Sequence, residues 1–98
     1  MLLPLRRKTR PVQIGPVRIG AGEPIAIQTM TKAPAADVEA TLAQIREAAD
    51  AGCAIVRCAV PSVKSIPALA EVVRRRPLPV GAASHYDWRL ALAALRAG

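Results

Sequence analysis

Hydrophobic and polar positions alternate early in the chain and switch to a helical period further on. Val12-Gln13-Ile14-Gly15 and Val17-Arg18-Ile19-Gly20 flank a Gly15-Pro16 pair, so they predict a small hairpin turning at that pair and capping one end of the rest of the fold. Glu23-Pro24 then opens Ile25-Ala26-Ile27-Gln28-Thr29-Met30, a β-branched run of strand length. From Asp37 to Ala51, the residues Val38, Leu42, Ile45 and Ala49 recur at spacings of four, three and four, which is one face of a helix, and Gly52 supplies the stop. Ala54 to Val60 is almost continuously apolar and ends at Pro61, as a strand covered on both faces would. Arg57 alone breaks it. Ser65 can cap a second helix that tolerates Pro67 in its first turn, sets Ile66, Leu69 and Val73 on one face and runs to about Arg75. Leu78 to Ala82 reads as the third strand of the series. Asp87 can cap a third helix carrying Trp88, Leu92 and Leu95, with Gly98 where a C-terminal glycine would sit.

Three strand-then-helix units in succession imply an α/β fold with a parallel sheet and right-handed crossovers. Composition agrees: the chain is 52% hydrophobic but 2% aromatic, so its core is Ala, Val, Leu and Ile, the palette of helices packed on a parallel sheet. Charge narrows the partners. A formal net charge of +7, with cations clustered at Arg6, Arg7, Lys8 and Arg10 and again at Arg74, Arg75 and Arg76, favours anions. Aromatic and basic residues are not interleaved and no zinc spacing appears, so nucleic acid is the weaker reading and phosphorylated metabolites the stronger. Met1-Leu2-Leu3-Pro4-Leu5 is too short for a leader core, and no apolar run approaches the roughly 20 residues of a membrane span, so no membrane partner and a cytoplasmic location are expected. Cys53 and Cys58 are then free thiols.

Several of these segments, taken in order, resemble the first part of the barrel of the 4-hydroxy-3-methylbut-2-enyl diphosphate synthase family. They are Arg6-Arg7-Lys8-Thr9-Arg10-Pro11-Val12, Ile27-Gln28-Thr29-Met30-Thr31, Asp37-Val38-Glu39-Ala40-Thr41 through Ala51-Gly52-Cys53, Ile55-Val56-Arg57-Cys58-Ala59-Val60-Pro61, and His85-Tyr86-Asp87-Trp88-Arg89-Leu90-Ala91-Leu92. The resemblance implies a partial TIM (β/α) barrel of about three βα units behind a short β-hairpin, with residues 1–98 as the N-terminal portion of a substrate-binding domain. It also implies an oxidoreductase that opens 2-C-methyl-D-erythritol 2,4-cyclodiphosphate to the hydroxymethylbutenyl diphosphate in the non-mevalonate isoprenoid pathway. In that family a [4Fe–4S] cluster sits on a C-terminal domain, and flavodoxin or ferredoxin supplies electrons. The cluster ligands are expected outside this chain, which by itself is expected to be inactive and to carry no cofactor. Where the family usually has Ala-Asp-Ile-His-Phe, this chain has Ala82-Ala83-Ser84-His85-Tyr86, so Ala83 replaces an acidic residue.

Four residues are candidates for holding a diphosphate, and none for catalysis or metal. Strand alternation sets Arg57 with Ile55 and Ala59, opposite Val56, Cys58 and Val60, so Arg57 is expected to face the barrel interior near the C-terminal end of its strand. Its planar fork matches a diphosphate, and the competing reading is an internal ion pair with a carboxylate. Gln28 shares a face with Ala26 and Met30, and Thr31 follows in the loop; both could orient a phosphate or sugar hydroxyl, or simply be a core amide and a helix-capping hydroxyl. His85, just past the third strand, could donate to substrate oxygens or be structural. Asp87 reads as a helix cap, the two cysteines as packing residues, and Arg74-Arg75-Arg76 as cations at a helix C-terminus. The rival functions are a small basic binding module and an inactive gene remnant. Self-association is also expected, because three units leave sheet edges open.

Overall fold

In the computed structural model of the chain, residues 5–34 and 36–98 are described; most of the apolar start weighed as a leader, residues 1–4, lies outside them. The hairpin forms as expected. Strands β1 (Val12–Ile14) and β2 (Val17–Ile19) pair antiparallel, with Val12 opposite Ile19 and Ile14 opposite Val17. Gly15 turns the chain at φ +54°. A Cβ there would come within 3.2 Å of Pro79, so the turn packs against the segment that leads into the last strand. The hairpin therefore lies at the N-terminal end of the sheet.

That sheet is parallel and three-stranded: β3 (Gln28–Met30), β4 (Ile55–Val60) and β5 (Val80–Ser84), in the order β3-β4-β5. Helices α1 (Val38–Asp50), α2 (Ile66–Arg75) and α3 (Trp88–Arg96) follow β3, β4 and β5 in turn. Leu42, Ile45 and Ala48 of α1 pack with Val72 of α2 on Val56 and Cys58, and Leu69 and Leu90 close over Val60. All three helices thus cover one face. The architecture is an opened piece of a (β/α) barrel whose concave face carries Gln28, Met30, Arg57 and Gly81.

Several sequence expectations shift. The strand expected from Ile25 is half that length: Ile25 and Ile27 are exposed, and only the Ile27 carbonyl still accepts from Ala54 and Ile55 before β3 begins at Gln28. β5 starts two residues later than expected and runs to Ser84, because Pro77 and Pro79 lack the N–H a ladder needs. Ser65 makes no side-chain cap; it closes a 3-10 turn, Val63–Ser65, that feeds into α2. On α3 the expected stripe faces outward, with Trp88 71% and Leu95 76% exposed, while Leu90 is 3% exposed and packs with Ala94 and Ala97. Helix α3 has two apolar stripes, and only packing selects one.

The cap at Asp87 is as read from sequence, and a second forms at Asp37. Asp37 accepts from Ala40 N at 3.0 Å and Asp87 from Arg89 N at 3.0 Å. The arginine run at the end of α2 is largely neutralised in place. Arg74 pairs with Glu71, Arg75 reaches Glu39 of α1 at 2.7 Å, and Arg76 donates to the Val73 carbonyl.

Candidate anion site on the concave face

Arg57 occupies the third position of the six-residue β4, in register with Met30 on one side and Gly81 on the other. It is on the concave face, as alternation requires, but at mid-strand and not at the C-terminal end of its own strand. The end of β3 brings the rim to it. Thr31, the residue after β3, donates its backbone N–H to the Arg57 carbonyl at 2.9 Å and its hydroxyl to the same oxygen at 3.5 Å. Among the described residues Arg57 has no carboxylate within 4 Å and its guanidinium donates no hydrogen bond, so the internal ion pair weighed as its alternative is not formed there. The Thr31 hydroxyl also lies against the Cys58 thiol, on the helix-covered side, so it is not on the guanidinium's face. An exposed, unpartnered guanidinium can by itself take an oxyanion with its planar fork.

The other two candidates sit above and below this pair. Gln28 starts β3 two residues before Met30, roughly 7 Å towards the hairpin end at the rise of a strand. There it lines a cleft of about 960 Å³ together with Arg6, Arg7, Lys8 and Thr9. The basic N-terminal segment is thereby brought against the sheet, a placement no local pattern announces. His85 lies beyond Ser84, four residues past Gly81, so it stands roughly 13 Å from Arg57 along the strand direction. Its ring is exposed and tilted against Tyr86, with centroids 6.4 Å apart. Tyr86 itself is fully exposed at φ 38°, a left-handed conformation that costs a non-glycine residue about 1 kcal/mol or more. Thr31 meets Arg57 only at its backbone carbonyl, with its hydroxyl turned to the Cys58 side; Gln28 and His85 lie below and above Arg57.

Neither cysteine contributes to it. Cys58 is buried on the helix-covered side, where burial pushes its thiol pKa up against a smaller opposing effect of the Thr31 hydroxyl, and Cys53 precedes β4. An iron–sulfur cluster needs several thiolate or comparable ligands. Among the described residues no three His, Cys, Asp or Glu side chains come together to hold a metal. The described residues do not fit a cluster. None of the described helices is long and apolar enough to cross a membrane.

Gln44 was not singled out by sequence reasoning. Its Oε1 accepts from both Lys32 N, at 2.8 Å, and Ala33 N, at 3.0 Å, and so ties α1 to the loop that follows Thr31.

The family described as the GcpE TIM-barrel domain matches residues 9–98. The chain is 47% identical over 93 residues, 95% of its length, to the 4-hydroxy-3-methylbut-2-en-1-yl diphosphate synthase (flavodoxin) of Persephonella marina, of which it covers 26%. It is 44% identical over 93 residues to the protein of the same name from Bacillus subtilis, covering 95% of this chain and 25% of that one. With the Dinoroseobacter shibae protein of that name it shares 49% over 84 residues, covering 86% and 22% respectively. The chain spans about a quarter of the length of the curated relatives it matches.

Proposed function

The chain belongs to the GcpE TIM-barrel domain family, and on that premise we propose that residues 1–98 form the N-terminal portion of the substrate-binding barrel of a 4-hydroxy-3-methylbut-2-en-1-yl diphosphate synthase. Its task in this reading is to bind the diphosphate of the cyclic substrate, not to deliver electrons. Arg57 takes the phosphate oxygens, Thr31 steadies it through its backbone carbonyl, and Gln28 and His85 contact the parts of the substrate that extend below and above. The observation that carries this reading is the unpartnered Arg57 guanidinium on the concave face, bonded through its own carbonyl to Thr31. The reductive step, with its cluster and its flavodoxin, belongs to polypeptide beyond these residues, and no step of it is assigned to the side chains here.

Titration calorimetry with inorganic pyrophosphate and with the methylerythritol cyclodiphosphate tests the reading. A charged hydrogen bond is worth roughly 1.5–3 kcal/mol, so Arg57→Ala is expected to weaken binding by about one to two orders of magnitude. Arg57→Lys should recover only part of it, since a point charge replaces the planar fork. Unchanged affinity in a folded Ala variant would remove Arg57 from the site. Salt-sensitive binding to arbitrary DNA with no response to either diphosphate would favour the basic binding module instead.

A further inference from the structure

The cleft at the foot of β3 and β4 has two kinds of wall. Its floor is aliphatic, with Ile19 of the hairpin, Ile25 and Ile55, and its rim carries Arg6, Arg7 and Lys8. Among the described residues Glu23 is the one carboxylate that lines it, and none of the three cations forms an ion pair. The basic segment is fastened to the hairpin. Thr9 Oγ1 accepts from Ala21 N at 2.9 Å. Gly20, Ala21 and Gly22 turn at φ 84°, 52° and 80°, three successive left-handed residues, a conformation that the Cβ of Ala21 disfavours. A Cβ on Gly20 would stand 2.9 Å from the Arg10 carbonyl oxygen, so only bare backbone lets the segment lie this close. The turn thus holds three adjacent like charges beside an apolar floor, and an anion relieves their mutual repulsion.

We propose that this cleft binds an aliphatic phosphate ester, its phosphate or diphosphate head against Arg6, Arg7 and Lys8 and its hydrocarbon body on Ile19, Ile25 and Ile55. The volume of about 960 Å³ suits a small ligand, for which sites run to roughly 300–1,000 Å³. A bare anion would leave the aliphatic floor in water. A nucleotide calls for an aromatic stacking partner, and the chain's two aromatics, Tyr86 and Trp88, follow β5 at the opposite end of the sheet. Arg57 does not line the cleft, so this site is separate from the one proposed above and does not depend on it; Gln28 marks the boundary between them.

Amide NMR on the full chain, titrated with geranyl diphosphate, geraniol and inorganic pyrophosphate, locates the ligand and weighs its two halves. Geranyl diphosphate is expected to shift the amides of Arg7, Lys8, Ala21 and Ile25. It should bind there about tenfold or more tightly than pyrophosphate, since each methylene taken out of water contributes roughly fourfold. Geraniol, without the charged head, should bind more weakly than geranyl diphosphate. Replacing the three cations together, Arg6→Gln with Arg7→Gln and Lys8→Gln, should cost about tenfold. Thr9→Val, which removes the acceptor for Ala21, should cost about three- to tenfold, and Ile25→Ser should narrow the advantage over pyrophosphate. Shifts confined to Met30, Arg57 and Gly81 would overturn the proposal, because the diphosphate would then sit on the concave face alone. So would equal affinity for geranyl diphosphate and pyrophosphate, or full affinity in a triple variant whose amide spectrum shows it folded. Co-sedimentation with phosphatidylglycerol vesicles and no response to geranyl diphosphate would assign the surface to a membrane instead. Shifts at these residues that follow protein concentration and not ligand would assign the cleft to a second copy of the chain.

Discussion

Gly81 lies beside Arg57 on the neighbouring strand, and a Cβ at position 81 would stand 3.3 Å from Arg57 Cγ. The arginine stem runs over the place where a side chain would be, so the bare backbone of β5 sets where the guanidinium points. The neighbouring site is therefore tuned by a residue that carries no functional group. Gly81→Ala and Gly81→Val should be tolerated by the fold, because the crowded atom belongs to an exposed, flexible stem and replacing a strand glycine recovers about 0.5–1 kcal/mol of backbone entropy. Pyrophosphate affinity should nevertheless fall, more for Val than for Ala. Thermal unfolding and calorimetry on the same samples check both halves; equal affinities across the three proteins would show that Arg57 does not depend on this space.

Ala83 pairs with Ala59, two residues beyond the Arg57–Gly81 pair and on the same face. A carboxylate introduced there would be a diagonal neighbour of Arg57, within reach of a long side chain. Ala83→Asp is expected to change stability little, as exposed ion pairs are worth about 0–1 kcal/mol. It should weaken pyrophosphate binding, because the new carboxylate competes for the guanidinium. Tighter binding of the simple anion in that variant would contradict this geometry.

Acid should loosen the helical layer. The hydrogen bond from Arg75, with its charge, holds the Glu39 carboxyl below the usual range, and Arg89 does the same for the Asp87 cap. With folded pKa values below the unfolded ones of about 4.3 for Glu and 3.9 for Asp, their stabilisation is complete above that range and is lost as pH falls through the folded values. Thermal midpoints measured from pH 7 to pH 3 should decline most steeply below about pH 4, and Glu39→Gln should flatten part of that decline. The effect will be small, since the Glu39 side chain is 71% exposed.

Ile45 is fully buried where α1 meets the sheet. Truncation to Ala should cost about 2–5 kcal/mol, a large share of the roughly 5–15 kcal/mol that holds a small domain together. Loss of cooperative unfolding, or a large drop in the urea midpoint, is the expected result, whereas Leu95→Ala on the outward stripe of α3 should be nearly silent.

The three-stranded sheet has β3 and β5 at its edges, and Ile25, Ile27 and Met30 are exposed near one of them. Open parallel edges beside apolar side chains invite pairing with another chain. Analytical ultracentrifugation over a hundredfold range near micromolar concentration should show mass increasing with concentration; a monomer throughout would refute this.

Local chemistry was enough to place the hairpin turn at Gly15-Pro16, the helix cap at Asp87, the parallel order of three βα units and the face on which Arg57 lies. Each follows from interactions spanning a few residues: a φ that glycine tolerates, a carboxylate that reaches a nearby amide, the two-residue period of a strand. The resemblance to the family was legible for the same reason, being carried by short motifs in order. Only the tertiary structure decided which stripe of α3 is buried, because Trp88-Leu92-Leu95 and Leu90-Ala94-Ala97 are both helical stripes and the contact with Val60 and Leu69 selects the second. It alone brought Gln44 to the loop after Thr31, across a gap of eleven and twelve residues, and set Gly81 under Arg57. Such contacts depend on strand register and helix placement, which are settled by the packing of the whole layer and leave no trace in the spacing of residues along the chain.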